Sequence, residues 1–199
     1  MTAFGLRSRV GTGIGSWLGA GLGVTTFGAF ESIATTVVSS PVASVTFSSI
    51  PTTYKHLQIR ILGRTTRATV QATISLRFNG DSGATWSTHQ LSGDGSATSS
   101  SGGGSRAYDY VGVCLGTGSS ATAGIFGAGI TDILDYADTN KYKTIRTLTG
   151  KDVNGSSGSV GLLSANWRNT DAIHTIFFQD SSFNNLDTGT SIALYGING

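Results

Sequence analysis

From Glu31 onward the chain alternates apolar with polar residues, and no other feature restricts its fold as strongly. Val70, Ala72, Ile74, Leu76 and Phe78 interleave with Gln71, Thr73, Ser75 and Arg77. Successive side chains of an extended strand point to opposite faces, so this spacing describes a strand with one face on a core. Leu57, Ile59 and Ile61 alternate with His56, Gln58 and Arg60 in the same way. Further stretches of this character cover 31–39, 42–48, 85–91, 108–115, 125–134, 142–149, 159–167, 172–179 and 190–197. Gly, Ser, Asn and Asp fill the breaks, as in Asn79-Gly80-Asp81-Ser82-Gly83, which reads as a turn. About ten strands therefore fit, and no helix-length pattern separates them, which argues against a parallel sheet with crossover helices. The expectation is an all-β fold, an antiparallel two-sheet β-sandwich of jelly-roll-like type over residues 31–199.

Composition agrees. The 199 residues include 29 glycines and a single glutamate, and only 12% are charged. A helical bundle would need Ala, Leu, Glu, Lys and Gln on its exposed faces. A disordered chain would need fewer apolar residues or more net charge than 38% and +2. That charge also gives no field suited to nucleic acid. Two loose groups, Arg60, Arg64, Arg67 and Arg77, then Lys141, Lys143, Arg146 and Lys151, read as solvated strand faces. The low-complexity stretch 92–107 reads as a mobile surface loop.

Residues 1–30 form a separate region. No charge occurs between Arg9 and Glu31, and glycines stand at 11, 13, 15, 19, 21, 23 and 28. Three readings compete: an extended arm, a signal or membrane segment preceded by Arg7 and Arg9, and a Gly-rich strand of the same domain. Glycine disfavours a helix by up to about 1 kcal/mol per site relative to Ala, which weakens the membrane reading. As an arm, the segment would anchor to a partner through Ile14, Trp17, Leu18, Leu22, Phe27 and Phe30.

Chemistry is sparse. His56, His89 and His174 fall in three different strands without metal-ligand spacing. Cys114 is alone, in an apolar run, and reads as a buried small hydrophobe. No G-x-S-x-G or P-loop pattern occurs, and Gly116-Thr117-Gly118 leads into another strand rather than a helix. Asp132, Asp135 and Asp138 would share a face on a helix but not on a strand ending in a turn. Asp81 and Asp94 sit in Gly-rich turns, where Asp either caps the turn or ligates calcium. Trp86 and Tyr108 flank loops and would suit stacking on sugars. No catalytic constellation, cofactor or metal is expected.

The stretch Ser44-Val45-Thr46-Phe47-Ser48-Ser49-Ile50-Pro51, the run Leu76-Arg77-Phe78-Asn79-Gly80-Asp81, the Gly93-Asp94-Gly95 turn, Asp135-Tyr136, Trp167 and the ending Leu194-Tyr195-Gly196-Ile197 resemble a group of tailed-phage virion proteins. These are capsid decoration proteins and fibre-associated domains, notably of phages of cyanobacteria. The resemblance spans about 45–197 and implies a non-enzymatic virion component with a jelly-roll-like domain. Its implied partners are the major capsid protein or other virion proteins and copies of itself, a trimer fitting such a domain, with neither nucleic acid nor membrane. Decoration or cementing of the shell is the first expectation. A tail or head fibre adhesin, with Asp81, Trp86, Asp94 and Tyr108 in glycan-binding loops, is the second. A secreted lectin-like protein with 1–30 as its signal is the third.

Overall fold

The alternating stretches become twelve strands in a computed structural model that describes residues 28–103, 111–153 and 157–199. In chain order they are β1 (Phe30–Val37), β2 (Ser44–Phe47), β3 (His56–Gly63), β4 (Gln71–Phe78), β5 (Trp86–Gly93) and β6 (Thr98–Gly103). Then follow β7 (Val111–Thr117), β8 (Gly127–Ile133), β9 (Lys143–Lys151), β10 (Ser159–Trp167), β11 (Ile176–Asp180) and β12 (Ser191–Ile197). They form two antiparallel sheets, an eight-stranded one in the order β1-β12-β3-β8-β9-β10-β5-β6 and a four-stranded one in the order β2-β11-β4-β7.

Setting aside two pairs, β5 with β6 and β9 with β10, leaves four-stranded sheets β1-β12-β3-β8 and β2-β11-β4-β7. The chain then passes between the sheets from β1 to β2, β3 and β4, and from β7 to β8, β11 and β12, which is the jelly-roll path. The two inserted pairs both join the large sheet beyond β8, doubling its width on one side only.

The core lies between the sheets and follows the alternation. Leu57, Ile59 and Ile61 of β3, Ile192 and Leu194 of β12, and Ile74, Leu76 and Phe78 of β4 are buried together. At one end Trp86 and Trp167 close it against Phe78, with ring centroids 5.3 and 5.4 Å away. Edge strand β7 is tucked into the concave side of the large sheet, and glycines make room for it. A Cβ on Gly127 would overlap the carbonyl oxygen of Leu115, and one on Gly129 would stand 2.5 Å from that of Val113. The Leu115 amide, facing away from β4, donates instead to Thr149 Oγ1 at 2.7 Å.

Two sequence expectations change, and others fall on residues outside the described structure. The stretch 92–107 is not simply a loop, because Thr98–Gly103 pairs with β5 over six positions. Backbone ladders need no apolar side chains, and the hydroxyls of Ser92 and Ser99 meet at 2.8 Å across the pair. Phe30, at the end of the expected arm, is the first residue of β1 opposite Ile197, and it is half-exposed. Ile14, Trp17, Leu18, Leu22, Phe27 and Tyr108 lie outside the described residues.

The cationic groups are not uniformly solvated either. Arg64 is buried and donates to the carbonyls of Thr122, Ile125 and Ala121 at 3.0, 3.1 and 3.0 Å. Lys143 is fully buried, and its ammonium donates to the carbonyls of Asp138, Lys141 and Thr170 at 2.7, 3.0 and 2.9 Å. Lys151 is buried and donates to the carbonyl of Ser157. Lys143 is held by three main-chain oxygens, Arg64 by main-chain oxygens together with the Asp187 carboxylate 3.5 Å from its Nε, and Lys151 by one carbonyl, as a cation removed from water requires partners.

Candidate interaction surface

Strand pairing carries the outward positions of the large sheet into rows. Reading across the strands, Arg60 of β3 lies opposite Ile130 of β8, which lies opposite Leu148 of β9. Leu148 lies opposite Leu162 of β10, and Leu162 opposite Leu91 of β5. Ile130, Leu148, Leu162 and Leu91 are each 43–56% exposed. Neighbouring strands stand about 4.8 Å apart, so these four aliphatic side chains make a continuous band about 14 Å long. The next row adds Leu62, Ala128, Gly150 and Val160, with Val37 beyond Ser191 at its β1 end.

On its other side the band meets a polar row of Gln58, Asp132, Arg146, Ser164 and His89. Asp132 accepts from Gln58 Nε2 at 2.9 Å and from Arg146 at 3.2 Å, so these groups already satisfy one another. The guanidinium of Arg60 lies 5.0 Å from the centroid of the Tyr195 ring. The result is a continuous apolar surface with a self-neutralised border. Isolated exposed leucines are ordinary on a protein surface, but a contiguous patch of this kind marks a site of association.

The loop positions singled out in the sequence prove to be structural. Asp81 accepts from the Gly83 amide at 2.9 Å, the Thr85 hydroxyl at 2.9 Å and the Trp167 indole at 2.7 Å. Burial opposes its ionisation, but these three donors outweigh that and hold the carboxyl below its usual range. Asp94 closes the β5–β6 hairpin by accepting from the amides of Ser96 and Ala97 at 2.9 and 2.8 Å, with Gly95 at a φ of 90°. Trp86 is the first residue of β5 and only 1% exposed, so it offers no face to a sugar. Its apolar ring is worth more in the core against Phe78 than in a loop. The sandwich brings Asp81 and Trp86 near one end of the core, joined through Trp167, and leaves Asp94 on the far hairpin.

The three aspartates after Thr131 do not share a face. Asp132 ends on the outer surface, whereas Asp135, at a φ of 48°, and Asp138 turn toward Lys141. Lys141 is 2.6 Å from Asp135, and Lys55 is 2.9 Å from its other oxygen. The hydrogen bonds from Lys141 and Lys55 hold the Asp135 carboxyl down to about 2. The Asp135 amide donates to His56 Nδ1 at 2.9 Å. This cluster ties the β8–β9 turn to the start of β3. Burial pushes the Cys114 thiol up to about 12, leaving it no thiolate near neutrality. No group of three or more His, Cys, Asp or Glu side chains converges among the described residues.

Sequence reasoning overlooked the aliphatic band. A signal for it exists in β10, where Val160 and Leu162 occupy one phase and Leu163, Ala165 and Trp167 the other. A strand apolar on both faces has something to cover on each. With the fold and this surface defined, the chain is a jelly-roll-like antiparallel β-sandwich. No family model, no curated protein and no solved structure matches it.

Proposed function

We propose that this protein is a virion structural component of the capsid decoration type, whose domain pairs face to face with a second copy of itself. The aliphatic band across β8, β9, β10 and β5 is the observation that carries the reading. Its side chains expose on the order of 500 Å² of apolar surface, at the upper end of the largest patch on a soluble monomer. Two such faces and their polar borders bring the buried total to about 1,200 Å² or more, the size of a stable interface. A sheet face carries the same twist on every copy, so two of them stack as the layers of a sandwich do. The contact is isologous, which favours a two-fold pair over a trimer. The jelly-roll scaffold is one that capsid proteins use, and the sequence resemblance over 45–197 points the same way. In this reading the uncharged N-terminal segment is left to hold the major capsid protein.

The test substitutes Leu148→Asp together with Leu162→Asp. Light scattering after gel filtration should find a dimer for the unaltered protein at about 50 μM and a monomer for the variant. The dissociation constant should rise at least 100-fold, with the folded domain retained because both positions face outward. A monomeric unaltered protein, or a variant that still pairs, rejects the interface. Quantified against the shell protein in purified particles, a decoration protein is present in a comparable number of copies; a sparse band rejects the decoration role.

A further inference from the structure

The widened half of the large sheet also leaves a space on its inner side. The four-stranded sheet ends at β7, while β9, β10, β5 and β6 continue past it. The far strands curl around the β7 edge and stand opposite the outer face of β4. Between them lies a cavity of about 450 Å³, bordered by Gln71, Thr73 and Ser75 of β4, Thr88 and Gln90 of β5, and Ser101 of β6. That volume falls within the range of about 300–1,000 Å³ usual for small-ligand sites.

These six side chains are alike in chemistry, and Val111, Cys114, Leu115 and Leu163 complete the walls with apolar surface. All six side chains are neutral, and each carries a hydroxyl or an amide. Among the described residues none of these side chains is hydrogen-bonded to another protein group, and no charged side chain borders the cavity. Thr88 and Gln90 continue the inward face of β5 that begins with Trp86 in the core. A strand that only packed would keep that face apolar. Gln71, Gln90 and Ser101 are exposed, Thr73 and Thr88 half-buried and Ser75 buried, so the groove holds its donors and acceptors open to an incoming ligand. Leu115 and Leu163 add apolar surface to the same walls.

We propose that this cavity binds a neutral saccharide. Rings bearing several hydroxyls match a wall of uncharged donors and acceptors, and the C–H face of a sugar suits Leu115 and Leu163. The absence of cations among the described lining residues disfavours phosphates and carboxylates, and the density of hydroxyls disfavours purely apolar ligands. The site lies on the side of the large sheet opposite the aliphatic band, so its occupancy is independent of pairing between copies.

The experiment titrates the full-length protein, labelled with ¹⁵N, with glucose, galactose, mannose, N-acetylglucosamine, lactose and maltose to about 20 mM, with glucuronate as an anionic control. At least one neutral sugar should shift the amides of residues 71–75, 88–90, 101 and 112–115 in a saturable way, more strongly than glucuronate. Gln90→Leu keeps the side-chain volume and removes the amide; Ser101→Trp, at an exposed position on the edge strand, plugs the cavity without touching the core. Each should weaken binding at least tenfold while the rest of the amide spectrum is retained. The assignment is overturned if no neutral sugar shifts these amides, if glucuronate binds as well as the best of them, or if both folded variants bind as the unaltered protein does.

Discussion

The two halves of the large sheet use one sequence pattern in opposite senses. In β12 and β3, Leu57, Ile59, Ile61, Ile192 and Leu194 point inward, while Gln58, Arg60 and Tyr195 point out. Toward the far ends of β9, β10 and β5, Leu148, Leu162 and Leu91 point out. Thr147, Thr149 and Gln90 occupy the inward positions. The first half has four strands of the second sheet in front of it; the added half reaches beyond them. Alternation thus shows that a strand has two unlike faces, and only the neighbouring layer decides which face becomes the core. Where that layer stops, apolar residues move outward and polar ones line the gap.

The largest effect expected from this contrast concerns the seat of β7. Gly127→Ala sets a methyl group against the Leu115 carbonyl, backbone that has no rotamer to escape into. Urea unfolding should show a loss of about 3 kcal/mol or more, or no folded protein. Gly93→Ala, on the outward side of the added half, meets nothing closer than 3.7 Å and should change stability by less than about 0.5 kcal/mol. Equal effects at the two sites would break the distinction between a filled half and an overhanging one.

A middle-sized effect separates the two aspartate turns. Asp81→Ala strands the buried indole N–H of Trp167 and releases the Gly83–Thr85 turn, and should cost about 2–3 kcal/mol in the same assay. Asp94→Ala removes only an exposed turn cap of the added hairpin and should cost clearly less than Asp81→Ala. A larger cost at Asp94 would place the hairpin in the stability core.

The smallest effect is electrostatic. Asp135 ionises at about 2 in the folded protein, against about 3.9 in an unfolded chain. Its folded value is depressed, so its contribution is complete above pH about 4 and is lost as the pH falls toward 2. Asp135→Asn should therefore lower stability by less than about 1 kcal/mol at pH 7, because its lysine partners are half-exposed. The variant should match the unaltered protein near pH 2. A deficit that persists there would mean that the carboxylate acts through something other than Lys55 and Lys141.

Much of the sandwich was legible because its strands are strictly two-faced and its turns carry their own chemistry. Asn79-Gly80, with φ values of 51° and 67°, and Gly95 at 90° adopt the left-handed conformations that such residues favour. Strand β6 was not legible, since Thr98–Gly103 offers no apolar phase and owes its shape to the backbone of β5. Trp86 was misplaced because a tryptophan beside a glycine-rich turn has the same local signature whether it faces solvent or core. Arg64 and Lys143 were unreadable for a similar reason, as the carbonyl partners of Arg64 come from distant residues 121–125, and Lys143 needs Thr170 besides the nearby carbonyls of Asp138 and Lys141.

The sequence by itself determined that this chain is all-β from Glu31 onward, with turns at its Gly, Asn and Asp clusters and an uncharged segment before them. Those properties are local, set by side-chain alternation and by the backbone freedom of single residues. The tertiary structure alone decided that both inserted hairpins join the same sheet, that β7 rests on glycines, and that an isoleucine and three leucines from four strands line up on an open face. Alignment across strands depends on register, and burial depends on whether a second layer stands opposite; neither is a property of any one segment.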